Sequence, residues 1–226
     1  GKDFPRIAEV AMETSDDGRY ISAAVAKGDG GEFEHYLRTP EGQWTKFASY
    51  DRQVIKTRFG SPEYLTLLTR IGAPRGSLFI MPLDGPSLSN AERVVEPSEA
   101  VIEDVTRTRE HMFVLDLVGG PSQIRLFDFR GTPEGLVPIL PVSTVEQIVA
   151  VGPDEVLIRN ESFLQPPGWY RVSGSNVSPV KTALSKKSDV DFSGYEVVRE
   201  TATSKDGTKV PISIIRKKGT KLDGSN

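Results

Sequence analysis

The chain has 226 residues, 37% of them hydrophobic and 26% charged, with a formal net charge of −3 and no cysteine. This composition fits one large or two small domains with a real apolar core, and it excludes disulfides, thiolate nucleophiles and Cys-based zinc sites. The acidic balance argues against a nucleic-acid partner, and no run approaches the ~18 apolar residues of a membrane span.

From the N-terminus the sequence reads as short strands between turns, with little at helical spacing. "RIAEVAM" comes first; the turn Ser15-Asp16-Asp17-Gly18 then leads into Ile21–Val25, and Gly28-Asp29-Gly30-Gly31 into a strand around Tyr36, followed by "WTKFAS". "RQVIKTRF", Tyr64–Thr69, Leu78–Pro82 and "ERVVEP" repeat the scheme, with Gly72-Ala73-Pro74-Arg75-Gly76 as a connection. A third round is "AVIEDVTR", Met112–Leu117, Ile124–Phe129 and "GLVPIL"; a fourth is "TVEQIVAV", Val156–Arg159, "GWYRV" and "SPVKTAL". With Tyr36, Phe79, Leu126 and Tyr170 taken as equivalent, the spacings are 43, 47 and 44 residues.

Four strands in roughly 45 residues is the signature of a β-propeller blade. A sandwich or barrel also spaces its strands every ~8–12 residues, but four repeats in one order favour the propeller. The expected fold class is all-β, with about four four-stranded antiparallel blades. No Trp-Asp dipeptide closes a blade, so this is not an obvious WD40 array.

The period stops after Leu184. Ser185-Lys186-Lys187-Ser188-Asp189 reads as a linker, and "YEVVRETATS" and "TKVPISIIRKK" flank Asp206-Gly207, a dipeptide preferred in tight hairpin turns. Val210, Ile212 and Ile214 alternate with Pro211 and Ser213, giving one apolar face that an isolated hairpin leaves uncovered. Pro211 points to an edge strand or an early strand position.

The segment "YEVVRETATSKDGTKVPISIIRKKGTKLDGSN" resembles the point where prolyl oligopeptidase family enzymes leave their propeller and re-enter an α/β-hydrolase domain. "ESFLQPPGWYRV" is similar to that family's last blade and "SDDGRYISAAVAKGD" to a middle one, so the likeness runs in order from about Glu9 to Asn226. It implies about four blades of a seven-bladed propeller over residues 1–187, then a linker and the first hairpin of a truncated serine peptidase domain over 188–226. In that family the propeller caps the peptidase and restricts access, so that short peptides are cleaved, typically after proline, and folded proteins are not. The partners implied are the rest of the same polypeptide, namely the peptidase domain and the first blades, and short peptide substrates. Open blade edges also predict self-association. Gly1 to Val10 holds no signal-peptide apolar run, which says nothing of a longer parent; a cytoplasmic setting is favoured over a periplasmic or secreted one.

The catalytic serine, aspartate and histidine are expected beyond Asn226. A nucleophile elbow reads Gly-x-Ser-x-Gly, and the nearest patterns, Gly85-Pro86-Ser87-Leu88-Ser89 and Gly120-Pro121-Ser122-Gln123-Ile124, lack the second glycine. His35 and His111 are the two possible bases or metal ligands, each read as structural or solvated for want of a converging partner. Asp16-Asp17-Gly18 and Glu103-Asp104 lack calcium-loop spacing, and Gly28–Gly31 lacks the Lys-Ser/Thr of a phosphate loop. Arg216-Lys217-Lys218, with Lys221, reads as a solvated basic tail. The expectation is therefore no catalytic, cofactor or metal residue in this chain. Ala26 and Asp29 stand where some family members place an arginine and a cysteine on the rim facing the active site, which implies a different substrate-facing surface. The rival reading is a self-contained, closed four-bladed scaffold that binds other proteins.

Overall fold

The computed structural model describes residues 1–224; Ser225 and Asn226, which end the C-terminal segment quoted above, lie outside the described residues. Four four-stranded antiparallel sheets follow one another, each with its strands in simple sequential order. Blade 1 holds β1 (Val10–Thr14), β2 (Ile21–Ala26), β3 (Phe33–Arg38) and β4 (Trp44–Ala48). Blade 2 holds β5 (Val54–Arg58), β6 (Tyr64–Thr69), β7 (Ser77–Pro82) and β8 (Glu92–Val95). Blade 3 holds β9 (Val101–Arg107), β10 (His111–Leu117), β11 (Ser122–Asp128) and β12 (Pro133–Val137). Blade 4 holds β13 (Ser143–Ala150), β14 (Glu155–Ser162), β15 (Gln165–Ser173) and β16 (Asn176–Lys181). A separate two-stranded sheet, β17 (Tyr195–Thr203) with β18 (Lys209–Lys217), comes last. Tyr36, Phe79, Leu126 and Tyr170 all fall in the third strand of their blade.

The apolar runs are continuous because the inner blades are buried on both faces. Leu65 and Leu67 of β6 join Leu37 and Phe47 in a core between blades 1 and 2, whereas Leu68 points the other way, to Ile102, Met112 and Val114 of blade 3. Phe113 and Leu115, alternating with Met112 and Val114, pack against Val145, Val156 and Ile158 of blade 4. Successive strand residues face opposite sides, so one strand serves two cores. Burying a side chain such as Phe113 contributes roughly 1.5–3 kcal/mol. The outward faces differ: Val10 and Met12 of β1 are 47% and 61% exposed, and blades 1 and 4 share no strand pairing. Neighbouring blades share none either, so the exposed side of β1, rather than strand pairing, is what speaks against a closed four-bladed ring.

Several expected boundaries shift by a few residues, two of them for reasons visible in the hydrogen bonds. The first strand begins at Val10 rather than Arg6, because residues 5–8 form a turn (Ala8 N–H to Pro5 O, 3.0 Å) before pairing starts at Val10 with Val25. The last blade strand ends at Lys181, short of Leu184, since Thr182 turns back to the Trp169 carbonyl through both its N–H and its hydroxyl, each at 2.9 Å. The hairpin is not closed by a two-residue turn either. Ser204 N–H reaches Thr208 O at 2.9 Å and Gly207 N–H reaches Ser204 O at 3.0 Å, so the loop is Lys205-Asp206-Gly207, with Gly207 in the left-handed region at φ +86°. A type I turn followed by a left-handed glycine is the standard three-residue alternative, and it leaves Asp206 free to take the Thr208 N–H at 3.0 Å.

That register explains Pro211. Hydrogen-bonded and non-bonded pairs alternate in an antiparallel ladder, so with Ser204–Thr208 bonded, the Thr201–Pro211 pair is not, and Pro211 needs no N–H toward β17. Val210 and Ile212 are 43% and 41% exposed, which leaves the apolar face largely uncovered among the described residues. The basic run is not a solvated tail: Arg216 and Lys217 lie within β18, Arg216 pairs with Glu196 at 2.8 Å, and Lys218 donates to Ser193 O at 2.8 Å.

Candidate functional site

The first strands of blades 2, 3 and 4 touch one another in sequence, which makes β5, β9 and β13 the strands nearest the propeller axis. They carry charge. Alternation along β5 puts Lys56 and Arg58 on one side, and both reach Asp104 of β9, at 2.8 and 2.9 Å. Arg58 also pairs with Glu13 of β1 at 3.7 Å, while the Glu13 carboxylate accepts the Phe59 N–H at 3.3 Å. Burial pushes the Glu13 pKa up, and the nearby Arg58 offsets only part of that rise. Further along, Glu146 of β13 pairs with Arg159, and Thr106 of β9 donates to Ile148 O at 2.9 Å. Arg58, Asp104, Thr106, Glu146 and Gln147 line a cavity of about 200 Å³ spanning blades 2 to 4. The axial wall is therefore polar, of mixed sign and internally paired. Such a wall can contact and orient a passing polar chain.

The residues singled out in the sequence fall in separate places. His35 of β3 is fully buried and donates through Nε2 to Val54 O of blade 2 at 2.8 Å, which fixes its tautomer; its Nδ1 has no partner, and burial holds its pKa below the usual value. Ser87 caps a short 3-10 turn, its oxygen accepting the Ser89 N–H at 3.3 Å, and Ser122 Oγ accepts the Val145 N–H of blade 4 at 2.9 Å. Among the described residues, neither hydroxyl bonds an imidazole. Asp17 belongs to a turn: the Ser15 hydroxyl and then the Arg19 N–H hold its pKa at about 2. Gly28–Gly30 form a 3-10 turn with Asp29 exposed on it, whereas Ala26 is only 6% exposed at the end of β2. Of these two positions, Asp29 alone presents a side chain to solvent.

His111 is the exception to the reading of lone histidines. It opens β10, and its ring lies between two carboxylates: Nδ1 contacts Asp154 Oδ1, and Nε2 is 3.1 Å from Glu134 Oε2. Asp154, on the β13–β14 loop of blade 4, also accepts the Ser173 hydroxyl at 2.8 Å and the Ser175 N–H at 3.1 Å. Burial raises the Asp154 pKa, but the hydrogen bonds from Ser173 and His111 outweigh it and the net shift is downward. The serine here bonds the aspartate rather than the imidazole, so the order of a Ser–His–Asp relay is not made. Sequence reading missed this cluster because Asp154 lies 43 residues from His111 and Ser173 a further 19 beyond it. It missed the axial ion pairs too, although Lys56-Thr57-Arg58 facing Glu103-Asp104 was a usable hint.

Residues 2–182 match the family described as prolyl oligopeptidase, N-terminal beta-propeller domain. The chain is 28% identical over 128 residues to the uncharacterized peptidase y4nA of Sinorhizobium fredii, an alignment covering 55% of this chain and 18% of that one. Among solved structures it is similar to prolyl oligopeptidase B from Galerina marginata, with a TM-score of 0.81 at 19% identity, covering 96% of this chain and 32% of that one. It is also similar to oligopeptidase B from Trypanosoma brucei, with a TM-score of 0.77 at 18% identity, covering 96% and 33%. The chain thus spans about a third of the length of these solved peptidases and less of the curated relative. With four blades in sequential order and a match over residues 2–182, the chain belongs to the prolyl oligopeptidase N-terminal β-propeller family.

Proposed function

We propose that this chain is the gating and chamber-wall segment of a prolyl-oligopeptidase-type serine endopeptidase acting on short peptides, with the propeller part running to about residue 187 and the hairpin after it belonging to the peptidase domain. The match of residues 2–182 to the family's propeller carries the reading. The polar axial wall and the uncovered apolar face of β18 support it: the first suits passage of a peptide, the second a domain packed on the hairpin. A funnel of blades acts by steric exclusion, admitting a flexible peptide and rejecting a folded protein. The triad is carried by the remainder of the polypeptide, and preference for proline comes with the family. Alone, the chain associates with itself through open blade edges or the hairpin.

The test compares the chain with the product of its native gene. That product is expected to be about three times the mass of this 24.8 kDa chain and to hydrolyse short proline-containing peptides but not folded proteins, whereas the chain alone leaves both intact. Hydrolysis by the chain alone that a serine-directed inhibitor abolishes, or a native product ending at Asn226, would overturn the reading.

A further inference from the structure

His111 stands at the seam of blades 3 and 4 with both ring nitrogens facing carboxylate oxygens. A neutral imidazole has one N–H, so its second nitrogen then presents a lone pair to an anionic oxygen. That arrangement calls for positive charge between the groups. A third carboxylate is close: one oxygen each of Glu110 and Asp154 and one ring nitrogen of His111 lie within 4.8 Å of one another.

The surroundings hold these groups in place. Ser173 and the Ser175 N–H fix the second oxygen of Asp154, at 2.8 and 3.1 Å. Arg109 N–H donates to Pro153 O at 2.8 Å, tying the loop that carries Glu110 to the loop that carries Asp154. Gly174 lies directly against the ring; a Cβ there would stand 2.1 Å from His111 Nδ1 and 2.7 Å from Asp154 Oδ1. His111 and Asp154 side chains are 12% and 19% exposed, whereas Glu110 is exposed and open to incoming solute.

We propose that this seam binds a divalent transition-metal ion of the zinc class, with His111 Nδ1, Asp154 Oδ1 and a Glu110 carboxylate oxygen as ligands. One imidazole and two carboxylates suit zinc better than calcium or magnesium, which prefer all-oxygen sets. Nε2–H then donates to Glu134, and an imidazole whose far nitrogen is held by a carboxylate is the usual second-sphere arrangement around bound zinc. The direct His111–Asp154 contact opens to admit the ion, with Glu110 closing from the solvent side. Glu110 and His111 come from blade 3 and Asp154 from blade 4, so the ion staples the two blades.

Calorimetric titration of the chain with zinc chloride tests this, with magnesium and calcium chlorides as controls. The expected result is one equivalent of zinc per chain, with no heat from the controls. Glu110→Gln, at an exposed position that leaves the fold alone, lowers zinc affinity at least tenfold, and His111→Asn by more. Ser173→Ala, which loosens Asp154 without removing a ligand, lowers it about tenfold, in the range of second-sphere changes. If His111→Asn fails to fold, Glu110→Gln and Ser173→Ala decide. Absence of zinc binding, as expected if a protonated imidazole alone bridges the carboxylates, overturns the proposal; so does zinc binding undiminished in Glu110→Gln.

Discussion

Asp116 of β10 is fully buried at the interface of blades 2 and 3, and its charge is met almost entirely by one residue. Arg125 of β11 grips it with two bonds, Nε to Oδ2 at 2.6 Å and Nη2 to Oδ1 at 2.9 Å, while Gln123 adds a long third contact at 3.4 Å. Arg125→Leu therefore leaves a carboxylate inside the core with one weak donor. Breaking a buried pair from one side costs about 3–5 kcal/mol, and because the Arg125 side chain keeps 18% exposure, through which water can reach the carboxylate, the low end, about 3 kcal/mol, is expected. Removing both charges is a different perturbation: Asp116→Leu combined with Arg125→Leu puts apolar side chains beside Phe127 and Val114 and costs about 1 kcal/mol or less. Urea unfolding followed by the fluorescence of Trp44 and Trp169 reads both values from the midpoint and slope. If the double variant loses as much as Arg125→Leu, packing rather than charge holds this interface and the reasoning fails.

Four further outcomes are expected. Gly131→Ala places a Cβ 1.9 Å from the Val94 carbonyl oxygen at φ +92° and costs about 4 kcal/mol or prevents folding, whereas Gly72→Ala, left-handed but in open space, costs about 1 kcal/mol; urea midpoints distinguish them. Asn160→Ala deprives the Leu140 N–H and the Thr144 carbonyl of 2.9 Å partners and costs about 3 kcal/mol in the same assay. His35 is neutral in the fold, since burial lowers its pKa below 6.5; the unfolded chain takes up the proton first, so its contribution is present above pH 6.5 and is lost as pH falls through the folded-state value. His35→Gln, which can still donate to Val54 O, should flatten that part of the stability–pH curve, and an unchanged curve would exclude His35 as its source. Ile212→Lys, on the exposed hairpin face, should reduce concentration-dependent self-association in light scattering; wild-type chain that stays monomeric at every concentration would refute the association itself.

The blades were legible because their signal is local and repeated. Tyr64–Thr69 was readable to the residue: its apolar run sits between a Pro-Glu turn and the Arg70–Gly76 connection, and burial on both faces demands little polarity. β1 was misplaced by four residues because Ile7 and Ala8 are apolar enough to read as strand, and only the Ala8–Pro5 turn shows otherwise. The hairpin turn was located but its type was not, since Asp-Gly serves both two- and three-residue loops. Asp206 with Ser204 repeats what Asp17 does with Ser15, and in both turns an aspartate two residues after a serine holds a left-handed glycine in position. Contacts between blades were not legible. Nothing near His111 in sequence announces Glu134 or Asp154, and Arg58 meets Asp104 and Glu13 only once the blades are stacked.

The stacking of blade on blade is head-to-tail. The side of β6 that carries Leu67 meets one neighbour, and the side that carries Leu68 meets another with different partners. A contact of this kind is heterologous, and repeating it must either close into a ring or continue as an open spiral. The number of blades is therefore set by the rotation from each blade to the next, a property written into every interface rather than into a final clasp. A substitution that enlarges one inter-blade core, at Phe113 for instance, would alter that rotation and misalign sheets several blades away.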